Sequence, residues 1–130
     1  MTRAKLANDA LYSPVESVSA ETTNFTRALT VSDLGKTLAC RGTYGITFTL
    51  TQANSAQMPA GTEIAIFDYT GNTQKITGTD VRMVIADGET AAKNRSFTFS
   101  ARFGMIALKK MFPDNVNGDL WLVTGNAEVV

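Results

Sequence analysis

The chain has no histidine among its 130 residues, so Ser-His-Asp and Cys-His nucleophilic centres cannot be built from it. It has one cysteine, Cys40, which excludes an intramolecular disulfide. Together the two absences remove the usual zinc sites. With no histidine to activate it, Cys40 reads as a small core or sheet residue. Net charge is missing too, because twelve basic and twelve acidic residues cancel. No basic excess or charged stripe argues for nucleic acid. Charged residues make up 18% of the chain, below the usual share of about 25%. No apolar run approaches the roughly 18 residues that span a bilayer. Met1 to Ala10 carries Arg3 and Lys5 with no apolar stretch behind them, unlike a secretory signal. The expectation is one soluble domain made in a cytoplasm, with no membrane partner and no cofactor.

Against these absences stands Asp33-Leu34-Gly35-Lys36-Thr37-Leu38-Ala39-Cys40, which contains the Gly-Lys-Thr that ends a phosphate-binding P-loop. That motif needs an earlier glycine five positions before Gly35, and Thr30 stands there. It also needs a helix directly after it, whose N-terminus faces the anion. The next segment instead alternates Ile46, Phe48 and Leu50 with Thr47, Thr49 and Thr51, the period of a half-buried strand. The stretch is therefore read as structural: Gly35 permits a turn, Lys36 is a solvated residue at the start of a strand, and Leu34 and Leu38 point to the core.

Carboxylates carry what chemistry remains open. Pro113-Asp114-Asn115-Val116-Asn117-Gly118-Asp119 is the best calcium candidate, but it lacks the alternating ligands and distal Glu of an EF-hand loop. Asp-Asn-Gly peptides between apolar runs are more often turns. No metal or catalytic residue is assigned. The longest basic run, Lys109-Lys110, is read as an exposed strand end or gatekeeper.

Along the chain, residues 1–26 are rich in Ser, Thr, Ala and Asn, with only weak spacing of Leu6, Ala10 and Leu11, and Ser13-Pro14 imposes a turn or extended backbone. They are read as an arm, and residues 27–130 as the folded domain. From Leu29 onward short apolar stretches alternate with turns. Glu63–Tyr69 is apolar on both faces, as a central strand is, and Thr70-Gly71-Asn72 looks like a hairpin turn into Gln74–Thr77. Val81–Ile85, Ser96–Phe103, Met105–Met111, Leu120–Thr124 and Glu128–Val130 complete the set. The pattern predicts an all-β fold: an antiparallel β-sandwich or jelly-roll-like domain of about eight short strands with an extended N-terminal arm. Thr-rich and aromatic strands with few charges leave edges to protect, which symmetric oligomers do.

The order "LTVSDLGKTLACRGTYGITFTLTQ", "MPAGTEIAIFDYTGN" and, near the end, "GDLWLVTGN" resembles a β-module of tailed-bacteriophage virion proteins, found in fibres, spikes and head-decoration proteins. The resemblance covers about residues 29–127. Two departures stand out: the 130 residues are not expected to include a fibre shaft, and the loop from Gln52 to Met58 is longer than the usual link to Pro59-Ala60-Gly61. The resemblance implies a β-rich, trimeric virion component.

Three functions stand as expectations. The first is a non-enzymatic capsid decoration or cement protein, a symmetric oligomer whose residues 1–26 lie along neighbouring capsid subunits and order on binding. The second is a short head or tail fibre or spike that presents a carbohydrate-binding domain to the host surface. The third is a carboxylate glycosidase, needing carboxyl groups about 5–9 Å apart; Asp114 with Asp119, or Asp68 with Asp80, could be nominated, although nothing in the sequence pairs them. Trp121, between Leu120 and Leu122, is read as a core anchor and not a sugar-stacking residue.

Overall fold

A computed structural model describes residues 14–71, 74–86 and 91–130. The first half of the chain winds between two sheets. Val15–Ala20 (β1), Thr37–Gly42 (β3) and Glu63–Asp68 (β5) lie side by side in one sheet, while Phe25–Ala28 (β2), Ile46–Thr51 (β4) and Lys75–Thr79 (β6) lie side by side in the other. Each neighbouring pair in these two sets is parallel. The backbone thus makes three coils of a two-sheet winding.

The second half closes it. Arg82–Ile85 (β7), Ala92–Lys93 (β8), Met105–Phe112 (β10) and Leu120–Gly125 (β11) extend the first sheet to seven strands in the order β1-β3-β5-β10-β11-β7-β8. Ser96–Phe99 (β9) and Ala127–Val129 (β12) extend the second to five, in the order β12-β9-β6-β4-β2. Gln52–Ser55 forms a short helix, α1, N-capped by the Thr51 hydroxyl accepting from the Asn54 N–H at 3.1 Å.

The all-β sandwich is as expected, and its sheets mix antiparallel with parallel pairings. Among the described residues, five of the ten strand pairings are parallel. A period-two pattern is the same whichever way the partner runs, so it carries no information on direction. Parallel sheets are ordinarily buried on both faces because helices cover them. Here the crossover runs through the opposite sheet, so each strand buries one face only. Ile64 and Ile66 of β5 lie fully buried in a core shared with Phe48 and Ile76 of the facing sheet, which also holds Leu38, Met83, Phe97, Leu108 and Trp121.

Four further expectations are corrected. Val15–Ala20, assigned to an arm, and Phe25–Ala28, which straddles the arm's expected end at residue 26, are strands; Val18 and Ala20 turn inward on either side of exposed Ser19. Their small side chains gave little apolar signal. Residues 1–13, the rest of that expected arm, lie outside the described residues. Thr70-Gly71-Asn72 does not close a hairpin, because β5 and β6 belong to different sheets. The strand expected over Ser96–Phe103 ends at Phe99. Leu34 is 44% exposed and not in the core, since the turn at Gly35 (φ +76) separates it from buried Leu38.

Candidate functional site

A buried polar network gathers around Lys110. In β10, Ile106, Leu108 and Lys110 share the inward face, and a bulge at Met111 re-aims the strand just beyond. Lys110 is 2% exposed. Its Nζ donates to the carbonyls of Ser55 and Met58, each at 2.7 Å, and lies 3.0 Å from Asp119 Oδ2. All three ammonium donors are taken. Expected as an exposed gatekeeper, Lys110 is instead the pin of a buried network, because its place in the strand alternation makes it an inward residue.

Asp119 holds the other side. Oδ2 accepts from Ser55 Oγ at 2.6 Å, and Oδ1 accepts from the Asp114 N–H at 2.7 Å. Its own N–H donates to Gln52 Oε1 at 2.8 Å. Burial pushes the carboxyl up, but the Ser55 hydroxyl, the Asp114 N–H and Lys110 together outweigh it and hold the group at about 2. Trp121 Nε1 donates to Ser55 Oγ at 2.8 Å, so Ser55 passes a hydrogen bond from indole to carboxylate. Trp121 is fully buried, the core anchor its sequence context implied. Enclosed and hydrogen-bonded in this way, the network ties α1 and the turn after it to β10 and β11.

Asp114 and Asp119 are brought together, but as parts of one turn. Asp114 Oδ1 accepts the N–H groups of Val116 and Asn117 at 3.0 and 2.9 Å, and Oδ2 lies 3.3 Å from Arg82. The Asn117 and Val116 N–H groups draw its carboxyl below the usual range. Asp68 and Asp80 are not brought together, for Asp68 is buried at the end of β5 and Asp80 lies just past the far end of β6. Among the described residues no group of three or more His, Cys, Asp or Glu could hold a metal ion.

The Gly-Lys-Thr stretch sits beside a second ionic group. Glu16 of β1 and Arg27 of β2 are inward residues on the outermost strand of each sheet. Arg27 Nη2 lies 3.0 Å from Glu16 and 2.7 Å from the fully buried Asp33, whose other oxygen accepts the Thr30 N–H at 3.0 Å. Lys36 Nζ lies 3.0 Å from Glu16. The Lys36 hydrogen bond first, and then the Arg27 charge, draw the Glu16 carboxyl below its ordinary range. Lys36 does stand at the start of a strand, but it is paired there. Inward charges on edge strands deter edge-to-edge pairing. The Thr30-x-x-Asp33 spacing was the signal for this turn.

Cys40 is buried in β3. Burial, then the nearby Asp68 carboxylate, pushes its thiol up to about 12, which leaves it unreactive.

An open cleft lies at the end of the sandwich where β5 and β9 finish. It measures about 340 Å³ and is lined by Asp68, Gly71, Gln74, Thr98, Ser100 and Arg102, with Phe99 and Ala101. Phe103, beside it, is 56% exposed and adopts φ +61, an outlier for a bulky residue. Its N–H donates to the Asp68 carbonyl at 2.8 Å, and the Asp68 N–H donates to the Gly104 carbonyl at 3.0 Å, which hold the turn in place. Sequence alternation through Phe103 concealed this turn; Gly104, directly after it, was the available sign of one.

The chain matches no protein-family model, and no curated protein matches it.

Proposed function

We propose that this protein is a non-enzymatic structural component of a tailed-phage virion, decorating or cementing the capsid as a symmetric oligomer, with a trimer the expected form. The phage assignment and the trimer rest on the motif order around Gly35, Pro59-Ala60-Gly61 and Trp121. The assembly role rests on one observation, the difference between the two outward faces of the sandwich.

The outward face of the five-stranded sheet is polar. Register places Thr26, Thr47, Lys75, Thr98 and Glu128 in one row, and Ala28, Thr49, Thr77 and Ser96 in the next. The outward face of the seven-stranded sheet is more apolar towards its middle. There Val15, Thr37, Ala65, Ala107 and Thr124 form one row, Ser17, Ala39, Phe67 and Met105 a second, and Glu63, Lys109, Leu122 and Val84 a third. A face that meets only water is ordinarily polar at alternate positions. Small and apolar side chains on a broad sheet suit close packing against a second surface. The β1 edge beside it carries the inward charge of Glu16, which favours the face over that edge as the contact.

Ala107→Glu places a charge in the centre of that face without touching the core. Light scattering should show an oligomer for the parent protein and a monomer for the variant, with unchanged far-ultraviolet circular dichroism. A parent protein that is monomeric, and a variant that still joins virions normally, would overturn the assembly role. Copy number in purified virions separates decoration, in proportion to capsid subunits, from a fibre present only at a few vertices or the tail.

A further inference from the structure

We propose that the cleft beside Arg102 binds a hydroxylated sugar acid, whose carboxylate is held by the Arg102 guanidinium and whose hydroxyl groups face Asp68, Thr98 and Ser100. This site lies at the end of the sandwich and is independent of the assembly face.

Arg102 is exposed yet held in position from three sides. Its Nε donates to the Tyr69 carbonyl at 3.3 Å, and its guanidinium carbon lies 4.7 Å from the centre of the Phe103 ring. Its stem passes over Gly71, where an added Cβ would stand 2.9 Å from Arg102 Cδ. Glycine is favoured there by its φ of +75. The ring beneath the guanidinium is fixed in turn, because Phe103 packs edge-on to Tyr69 at 5.8 Å. Strained backbone that displays an aromatic and an arginine to solvent has a structural cost and no core to serve, the pattern of binding sites. With Nε engaged, the two terminal nitrogens of Arg102 have no hydrogen-bond partner among the described residues. They present the two-pronged donor that carboxylates match.

The cleft itself sets the rest of the ligand. Its volume is near the lower end of the roughly 300–1,000 Å³ typical of small-molecule sites, which suits a single ring more than an extended peptide. The hydroxyls of Thr98 and Ser100 call for a ligand with several hydrogen-bonding groups, whereas the buried Gln74 amide is already engaged, accepting from the Ile46 N–H and donating to the Thr70 hydroxyl. Buried Asp68 in the wall accepts the Gly71 N–H at 3.1 Å and disfavours a second negative charge deep in the cleft. Anionic charge therefore belongs at the rim, over Arg102, and hydroxyl groups inside. A phosphate-rich ligand meets Asp68 unfavourably, and a neutral sugar leaves the arginine prongs unused.

The test is a titration of the isotope-labelled full chain monitored by amide and arginine Nε resonances. Glucuronic acid and N-acetylneuraminic acid are the probes, with glucose and acetate as comparisons. Saturable shifts at Gly71, Ser100 and Arg102 with either sugar acid are expected, and Arg102→Gln should weaken binding by about tenfold or more. Arg102 is on the surface, so its variant should keep the parent spectrum elsewhere. Phe103→Gly, which removes ring and strain together, should also weaken binding. No shift at these residues with either acid would overturn the site. Acetate binding as well as glucuronic acid, or glucose binding as well, would overturn the sugar-acid assignment. Each result is read on the isolated protein, so it stands apart from virion assembly.

Discussion

Lys110 Nζ lies 3.0 Å from Asp119 Oδ2, and both side chains are sealed from solvent, one on β10 and one just before β11 beside it. The loop before β11 and the turn after α1 are held to the sheet through this pair. Removing one partner leaves the other as a buried charge without its counter-ion. Lys110→Met should therefore cost about 3–5 kcal/mol in chemical denaturation, and adding Asp119→Leu should recover only part of the loss, because Ser55 Oγ and the Asp114 N–H then lose their acceptor. Equal stability for the single variant and the parent would show that Asp119 does not depend on Lys110 for its charge.

Acid should find the same network. Asp119 is held at about 2, below its ordinary value of 3.8. A carboxyl depressed in the folded state binds fewer protons there than in the unfolded chain, so its contribution is full above the unfolded value and fades as pH falls through the folded one. Stability should thus decline between about pH 4 and pH 2. Glu16 and Asp114 are shifted in the same direction but lie at the surface, where solvent screens them. Asp119→Asn should flatten the decline, measured by thermal melting across that range.

Trp121→Ala should cost about 3–5 kcal/mol, as expected for loss of a large core aromatic. The native fluorescence should be blue-shifted and move to the red on unfolding. A native spectrum typical of water-exposed indole would contradict the burial of this side chain.

The two cations around Glu16 should differ sharply. Among the described residues Lys36 pairs with this half-exposed carboxylate alone, so Lys36→Ala should change stability by less than about 1 kcal/mol. Arg27 also satisfies the buried Asp33, so Arg27→Ala should cost about 1–3 kcal/mol. A nucleotide affinity lost in Lys36→Ala would restore the phosphate-binding reading of Gly-Lys-Thr.

Much of the architecture was legible in short-range pattern. Ile46, Phe48 and Leu50 alternate with threonines because one side of β4 meets the core and the other meets water, and that requirement is written residue by residue. Trp121 was equally readable, since apolar neighbours on both sides announce a well-covered strand. The cleft was not readable. Asp68, Thr98 and Arg102 come from separate segments, and only the way the sheets end brings them to one place.

The sequence alone determined that histidine chemistry and an intramolecular disulfide are excluded, that strands dominate, and which side of most strands faces inward. These properties depend on composition and on neighbours one or two residues apart. Tertiary structure alone decided that β1 and β2 are strands, that half the pairings are parallel, and that Lys110 is a buried pin while Arg102 stands at a cleft. Strand direction, an ion partner and the shape of a surface depend on residues far apart in the chain. Local periodicity cannot encode them, because the same alternation fits either direction of pairing and either a buried or an exposed lysine.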